Sequence, residues 1–183
     1  ASGAIFSDTA GTTKIDDLTF RILNSFRPLY ESTGSASYGQ VLLDAAASKN
    51  TQWNETVGAF RTPWRKSDSG NPLANYGIVL DQSMDMELLF WAARETGNQT
   101  YYDRAVRHMQ TVAAHLIRPD GGSYHWGYFN DQTGEFVSGE TYQGYSDQST
   151  WARGQAWAIY SFTMAYRETG RTEFLATARK VAD

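Results

Sequence analysis

One short pattern occurs three times and constrains the architecture more than any other feature of the chain. It reads Glu31-Ser32-Thr33-Gly34 followed by Tyr38, Glu95-Thr96-Gly97 followed by Tyr101, and Glu168-Thr169-Gly170 followed by Phe174. A glycine so placed reads as the residue just past a helix C-terminus, because it enters the left-handed conformation without a Cβ clash. Ahead of the three glycines lie apolar residues at helical spacing: Leu18, Phe20, Leu23 and Phe26; Met84, Leu88, Leu89 and Ala92; Trp157, Tyr160, Phe162 and Met164. One turn beyond each aromatic follows Leu42, Ala105 or Ala178. The pattern predicts a helical hairpin repeated at intervals of 63 and 73 residues, hence an all-α fold.

Hairpins of this kind bury their apolar faces only against neighbouring hairpins. The last helical stretch runs to Ala182-Asp183 without a cap, and fourteen irregular residues precede the first. The chain therefore reads as part of a larger helical array, with a compact bundle of six or seven helices as the alternative. In the array reading, residues near Leu18 to Phe26 and Ala158 to Val181 present apolar side chains to empty space. Strand alternation is confined to the region around Tyr124 to Val137, and residues 119–148 read as a long loop, a length usually tied to function.

With 183 residues and a net charge of −4, the chain has a full domain's core and no electrostatic footprint for nucleic acid or an anionic membrane. No apolar run approaches a membrane span. The absence of cysteine excludes disulfides, thiol nucleophiles and thiolate metal sites. Two acceptor sequons, Asn54-Glu55-Thr56 and Asn98-Gln99-Thr100, fit a secreted chain, although about one is expected by chance in a sequence this rich in Ser and Thr. Gly11-Thr12-Thr13-Lys14 lacks the spacing of a phosphate loop. His108 and His115 stand two turns apart on one amphipathic stretch, with no carboxylate completing a ligand spacing; they read as surface or boundary residues, and neither metal nor cofactor is expected.

The richest chemistry lies in Ser146-Asp147-Gln148-Ser149-Thr150-Trp151-Ala152-Arg153-Gly154-Gln155-Ala156-Trp157, which opens an apolar helix. Indole faces cover the apolar faces of sugar rings, while Arg and Gln reach hydroxyls and carboxylates. A buried Trp pair with a capping acid is the alternative. Asp81 and Asp85, one turn apart and on the face of Leu88, stand amid apolar residues. A buried carboxylate there would carry a raised pKa and serve as a proton donor near neutrality; the alternative is a capping Asp81 with an exposed Asp85. Asp16-Asp17, ahead of Leu18, offers the same choice between cap and acid.

Four separated blocks together resemble the unsaturated glucuronyl hydrolases of glycoside hydrolase family 88: Asp17-Leu18-Thr19-Phe20; Val79-Leu80-Asp81-Gln82-Ser83-Met84 running on to Leu88-Leu89-Phe90-Trp91-Ala92; Ser123-Tyr124-His125 with Tyr142-Gln143-Gly144; and Asp147 through Trp157. The resemblance implies an (α/α)6 barrel of which residues 1–183 form the middle portion, a partial catalytic domain truncated at both ends. It implies removal of a 4,5-unsaturated uronic acid from the non-reducing end of lyase-generated oligosaccharides, glycosaminoglycan-type disaccharides among them. The reaction protonates C4 of the vinyl ether and adds water at C5. By the resemblance Asp81 is the general acid/base and Asp17 its supporting acid, while His125, Gln143, Arg153 and Trp157 contact the sugar with Trp151 nearby. The chain departs from the family pattern at Asp16, where His is usual, and at Thr19, where Gly is usual. Thr19 is expected to crowd the position beside Asp17, and Asp16 to raise Asp17's pKa by like charge. Unsaturated rhamnogalacturonyl hydrolases share the chemistry, but their usual Arg-Gly-Asn-Gly-Trp differs from Arg153-Gly154-Gln155-Ala156-Trp157. A non-catalytic carbohydrate-binding helical module is the reading from another class.

Overall fold

The structure, a computed structural model, describes residues 18–62 and 65–183. A π-helical turn, Thr19–Leu23, runs straight into α1 (Asn24–Thr33), which pairs with α2 (Ala36–Asn50). The second hairpin is α3 (Met86–Thr96) with α4 (Gln99–His115), and the third is α5 (Ala152–Thr169) with α6 (Thr172–Ala182). Helix α3 is central, packing on α2, α4 and α5.

The repeated motif makes the same junction each time. Gly34, Gly97 and Gly170 all adopt left-handed φ, from 64° to 69°, and donate their N–H to Tyr30, Ala93 and Tyr166 at 2.8–2.9 Å. The threonine before each glycine acts twice. Its hydroxyl donates to the carbonyl four residues back (Leu29, Ala92, Ala165; 2.6–2.7 Å) and accepts the N–H two residues ahead (Ser35, Asn98, Arg171; 3.2 Å). Orphan groups at the helix end are thus satisfied locally. Two of the three glutamates link hairpin to hairpin, Tyr30 donating to Glu95 and Arg94 pairing with Glu168, while Glu31 pairs with Arg27 on its own helix.

Between the hairpins lies β structure. Strands β1 (Trp53–Asn54) and β2 (Ala59–Phe60) form a small ribbon. Strands β3 (Tyr76–Val79), β4 (Trp126–Phe129) and β5 (Phe136–Glu140) form an antiparallel sheet in the order β3-β4-β5. Tyr, Ile, Val, Trp and Phe suit a pleated, half-buried surface. Gly77, opposite Tyr128, leaves room for the stacked Trp126 and Tyr128 rings; a Cβ there would come 3.1 Å from Tyr128. Residues 119–148 are thus built largely around β4 and β5, and the apolar run before Asp81 is a strand. Alternation was obscured because all four residues of β3 are buried, as are all four of β4.

The expectation of bared apolar faces is corrected. Leu18, Ile22, Leu23 and Phe26 are buried, as are Ala158, Phe162, Ala165, Phe174, Ala178 and Val181. They join one continuous core with Leu42, Leu88, Leu89 and Phe90. On these helices only Phe20, Leu29 and Tyr160 are large and exposed. The reason is that each hairpin turns its stripe toward α3 and the segment before it, and burying each Phe or Leu contributes about 1.5–3 kcal/mol. Among the described residues no helix is long and apolar enough to cross a membrane.

Candidate active site

The three-stranded sheet brings the first two site residues together. Val79 pairs with Trp126, and one step further Leu80 donates its N–H to the His125 carbonyl at 2.8 Å. His125 in turn donates its N–H to the Glu140 carbonyl at 3.0 Å. Just past Val79 the chain enters a 3-10 helix, Leu80–Asp85, whose second residue is Asp81. Asp81 Oδ1 ends 3.8 Å from His125 Nε2, with the Asp81 side chain 17% exposed and that of His125 4%. Among the described residues neither Asp81 Oδ1 nor either His125 ring nitrogen has a hydrogen-bond partner. Buried polar atoms are nearly always paired, so a carboxylate and an imidazole left open side by side mark a place where a polar ligand meets them.

Aromatic rings wall this pair. The His125 ring lies 4.6 Å from Trp151 and 6.1 Å from Trp157, and the two indoles meet edge to face at 5.5 Å. Trp151 precedes the first turn of α5, and the small Gly154 lets its ring lie close: a Cβ there would sit 3.3 Å from the indole. The exposed Arg153 guanidinium stacks 4.4 Å from the Trp151 ring and 5.5 Å from Trp157. Among the described residues it has no ion-pair partner, which suits it to a carboxylate ligand. Asp81, His125, Trp151, Arg153 and Trp157 therefore share one locality.

The remaining candidates fall differently. Gln143 is exposed on the loop after β5, and its side chain bonds to none of those five residues. Tyr142 ahead of it holds φ +56°, an uncommon conformation for a residue with a side chain. The Arg65 guanidinium braces that turn, 4.3 Å from the Tyr142 ring, while donating to Glu140 at 2.7 Å. Asp16 and Asp17 lie outside the described residues. Gln155 is an internal tie and not a ligand for sugar: it accepts from Ser123 at 2.8 Å and donates to Gly121 and Val181. Asp147 is no helix cap; it accepts the Thr141 N–H at 2.8 Å. Asn98, from the second sequon, caps α4 by accepting from Thr100.

Two readings are overturned by burial. Asp85 is not exposed but 1% accessible, paired at 3.1 Å with an equally buried Lys49. The 3-10 geometry turns it inward, away from the face it would share with Asp81 on an α-helix. His108 is neither surface nor boundary: it is fully buried on α4, accepts the Phe60 N–H at 3.3 Å, and has its pKa pushed down to about 3 by desolvation and nearby Lys49. His115 stacks on Phe136 at 5.1 Å, its pKa lowered by burial. Lys49 was findable: Leu42, Ala45, Ala46 and Lys49 form one helical stripe, and a lone charge on an apolar stripe needs a buried partner. Among the described residues no group of three His, Cys, Asp or Glu side chains could hold a metal ion.

Helical hairpins beside an aromatic-walled carboxylate, imidazole and guanidinium define a portion of an α/α-barrel protein. The family profile described as Glycosyl Hydrolase Family 88 matches residues 7–180, and the chain belongs to that family. It is 33% identical over 175 residues to an unsaturated glucuronyl hydrolase of Formosa agariphila, covering 95% of this chain and 43% of that protein. It is 42% identical over 122 residues to an unsaturated chondroitin disaccharide hydrolase of Streptococcus pyogenes, covering 67% of this chain and 30% of that one. Among solved structures, the unsaturated glucuronyl hydrolase of Bacillus sp. GL1 superposes with a TM-score of 0.87 at 32% identity, over 98% of this chain and 48% of that one. A heparin-specific unsaturated glucuronyl hydrolase gives 0.87 at 31% identity, over 96% and 46%. The chain thus spans less than half the length of these relatives, and along that span its fold is theirs, a portion of an α/α barrel.

Proposed function

We propose that these residues form the central part of the catalytic domain of an unsaturated glucuronyl hydrolase, truncated at both ends relative to a whole barrel. The substrate class is an oligosaccharide ending in a 4,5-unsaturated uronate, with glycosaminoglycan disaccharides as the leading examples. The single observation that carries the reading is the open Asp81 carboxylate beside His125, under Trp151, Trp157 and Arg153.

In this reading the neutral Asp81 carboxyl gives its proton to C4 of the vinyl ether, and positive charge develops at C5 and the ring oxygen. The Asp81 carboxylate then takes a proton from a water molecule as that water's oxygen bonds to C5. The resulting hemiketal opens, its former ring oxygen leaves with C1 as an aldehyde, and the neighbouring sugar departs. One residue acting as acid and then as base is the economy that general acid–base catalysis allows. Arg153 holds the uronate carboxylate, His125 a hydroxyl near Asp81, and an indole lies on the flattened ring. Asp17 supports the charge cycle, and Gln143 reaches the sugar from its exposed loop.

The test is loss of the ultraviolet absorbance of the conjugated uronate on mixing the full natural chain with lyase-generated disaccharides. Consumption of glucuronyl-type substrates supports the reading. Consumption confined to unsaturated rhamnogalacturonan fragments moves the assignment to the sister family, and saturable binding without turnover leaves a carbohydrate-binding module.

A further inference from the structure

The pair Asp85 and Lys49 takes no part in the chemistry just described, yet it is the most completely buried ion pair among the described residues. The two side chains are 2% and 0% exposed, and Lys49 Nζ lies 3.1 Å from Asp85 Oδ2. The other carboxylate oxygen, Oδ1, accepts the backbone N–H of Thr19 at 2.9 Å. Thr19 returns a second bond to the same element, its hydroxyl donating to the Met84 carbonyl at 3.0 Å. Thr19 is itself 2% exposed and opens the π-helical turn that follows Leu18.

Asp85 thus holds the backbone of the π-helical turn from a distance, across 66 positions of sequence. The arrangement ties three elements at one buried point: the π-helical turn, the 3-10 helix and the last turn of α2. In sequence, Thr19 stands two residues after Asp17, and Asp85 stands four after Asp81. A buried ion pair adds little stability compared with apolar residues of the same volume, so stability alone does not account for it. What a charged, two-point clamp supplies is fixed position.

We infer that Asp85 and Lys49 are positioning residues. By holding Thr19 against the 3-10 helix, they fix the frame of that helix, and with it the carboxyl of Asp81. Lys49 neutralises Asp85 and fixes the rotamer that aims Oδ1 at the Thr19 N–H. Thr19, a departure from the usual Gly, is accommodated because its hydroxyl forms the second arm of the clamp. The inference rests on the proposed function in so far as it assigns the acid/base role to Asp81.

The test uses two double variants in the full natural chain. Asp85→Leu with Lys49→Met removes the acceptor without leaving a buried charge unpaired. Asp85→Asn with Lys49→Met removes both charges but keeps an oxygen for Thr19. The first is expected to lose about 10- to 100-fold in kcat with KM nearly unchanged, as a misplacement of about an ångström does. The second is expected to restore kcat to within about threefold of the parent, since it restores the same geometry. Amide hydrogen exchange at Thr19 should accelerate in the first variant and stay slow in the second. A folded Leu/Met variant with parental kcat and parental Thr19 exchange overturns the inference, as does an Asn/Met variant as impaired as Leu/Met. Should Leu/Met fail to fold, Thr19→Val decides: it removes only the Met84 arm, and a kcat equal to the parent's overturns the clamp. If the parent consumes no unsaturated uronate, the functional reading fails by itself, and the clamp is judged on Thr19 exchange alone.

Discussion

Asp81 Oδ1 stands 3.8 Å from His125 Nε2, although the residues are 44 positions apart and neither reaches the other through a helix. The contact is a consequence of strand register. Because Val79 pairs with Trp126, the residues flanking that pair leave the sheet at the same end, and a 3-10 turn then brings Asp81 over the imidazole. A slip of one residue would send His125 to the opposite face, where Trp126 and Tyr128 stack.

Asp81→Asn is expected to abolish turnover while preserving fold and sugar binding. The amide keeps the shape but neither donates nor recovers a proton, and losing a general acid–base typically costs about 10²–10⁴-fold. Single-turnover kinetics beside calorimetric binding checks this. Retention of more than about a tenth of parental activity would remove Asp81 from the acid/base role.

Trp157→Ala is expected to weaken saccharide binding more than it destabilises the fold. Its ring is half-buried, meets Trp151 edge-on and lies 5.5 Å from the Arg153 guanidinium, so part of it stays open to solvent. Phe162→Ala, in the core, is the contrasting substitution and should cost about 3–5 kcal/mol. Thermal melts and titrations on both variants separate the effects, and equal stability losses would make Trp157 a core residue.

His108 should make the fold acid-sensitive. In the folded chain burial holds the imidazole neutral down to about pH 3, whereas the unfolded chain takes up a proton near the ordinary 6.5. The unfolded state therefore binds more protons between those values. The contribution is fully present above pH 6.5 and is lost as pH falls toward 3, by at most about 1.4 kcal/mol per pH unit. His108→Gln keeps an acceptor for the Phe60 N–H but cannot charge. Its melting temperature should fall less than the parent's between neutral pH and about pH 4.5, and an unchanged difference would place the acid sensitivity elsewhere.

Gly97→Ala should destabilise by about 1–2 kcal/mol through backbone conformation alone. Gly97 holds φ +69°, and an added Cβ would meet nothing within 4 Å, so no clash contributes. Denaturant unfolding with an unchanged m-value is the expected signature, and a neutral effect would mean the junction relaxes freely.

The hairpins were legible in the sequence because helix ends are local. A glycine that needs φ > 0 and a threonine that bonds four residues back and two ahead act within one turn, so their motif survives as a short readable string. The glutamate in that string was readable as a repeat but not as a link, since Tyr30–Glu95 and Arg94–Glu168 join different hairpins. Likewise Trp151, Arg153 and Trp157 fall at the start of one helix, so their proximity follows from sequence spacing.

Other features depended on chain crossings that spacing does not encode. Strand β3 carried no alternation because both its faces are buried, and its pairing with β4 is what brings Asp81 to His125. The inward turn of Asp85 depends on a 3-10 rather than an α-helical step, and its pairing with Lys49 and Thr19 spans three elements. His108 looked like a boundary residue until β2 covered it. By itself the sequence determined where helices stop, which residues line their apolar stripes and which side chains gather at the start of α5, since each depends on interactions within a few residues. Which carboxylate is buried, which is open and which imidazole faces it were decided only by tertiary structure, because desolvation and pairing depend on what distant segments place against a group.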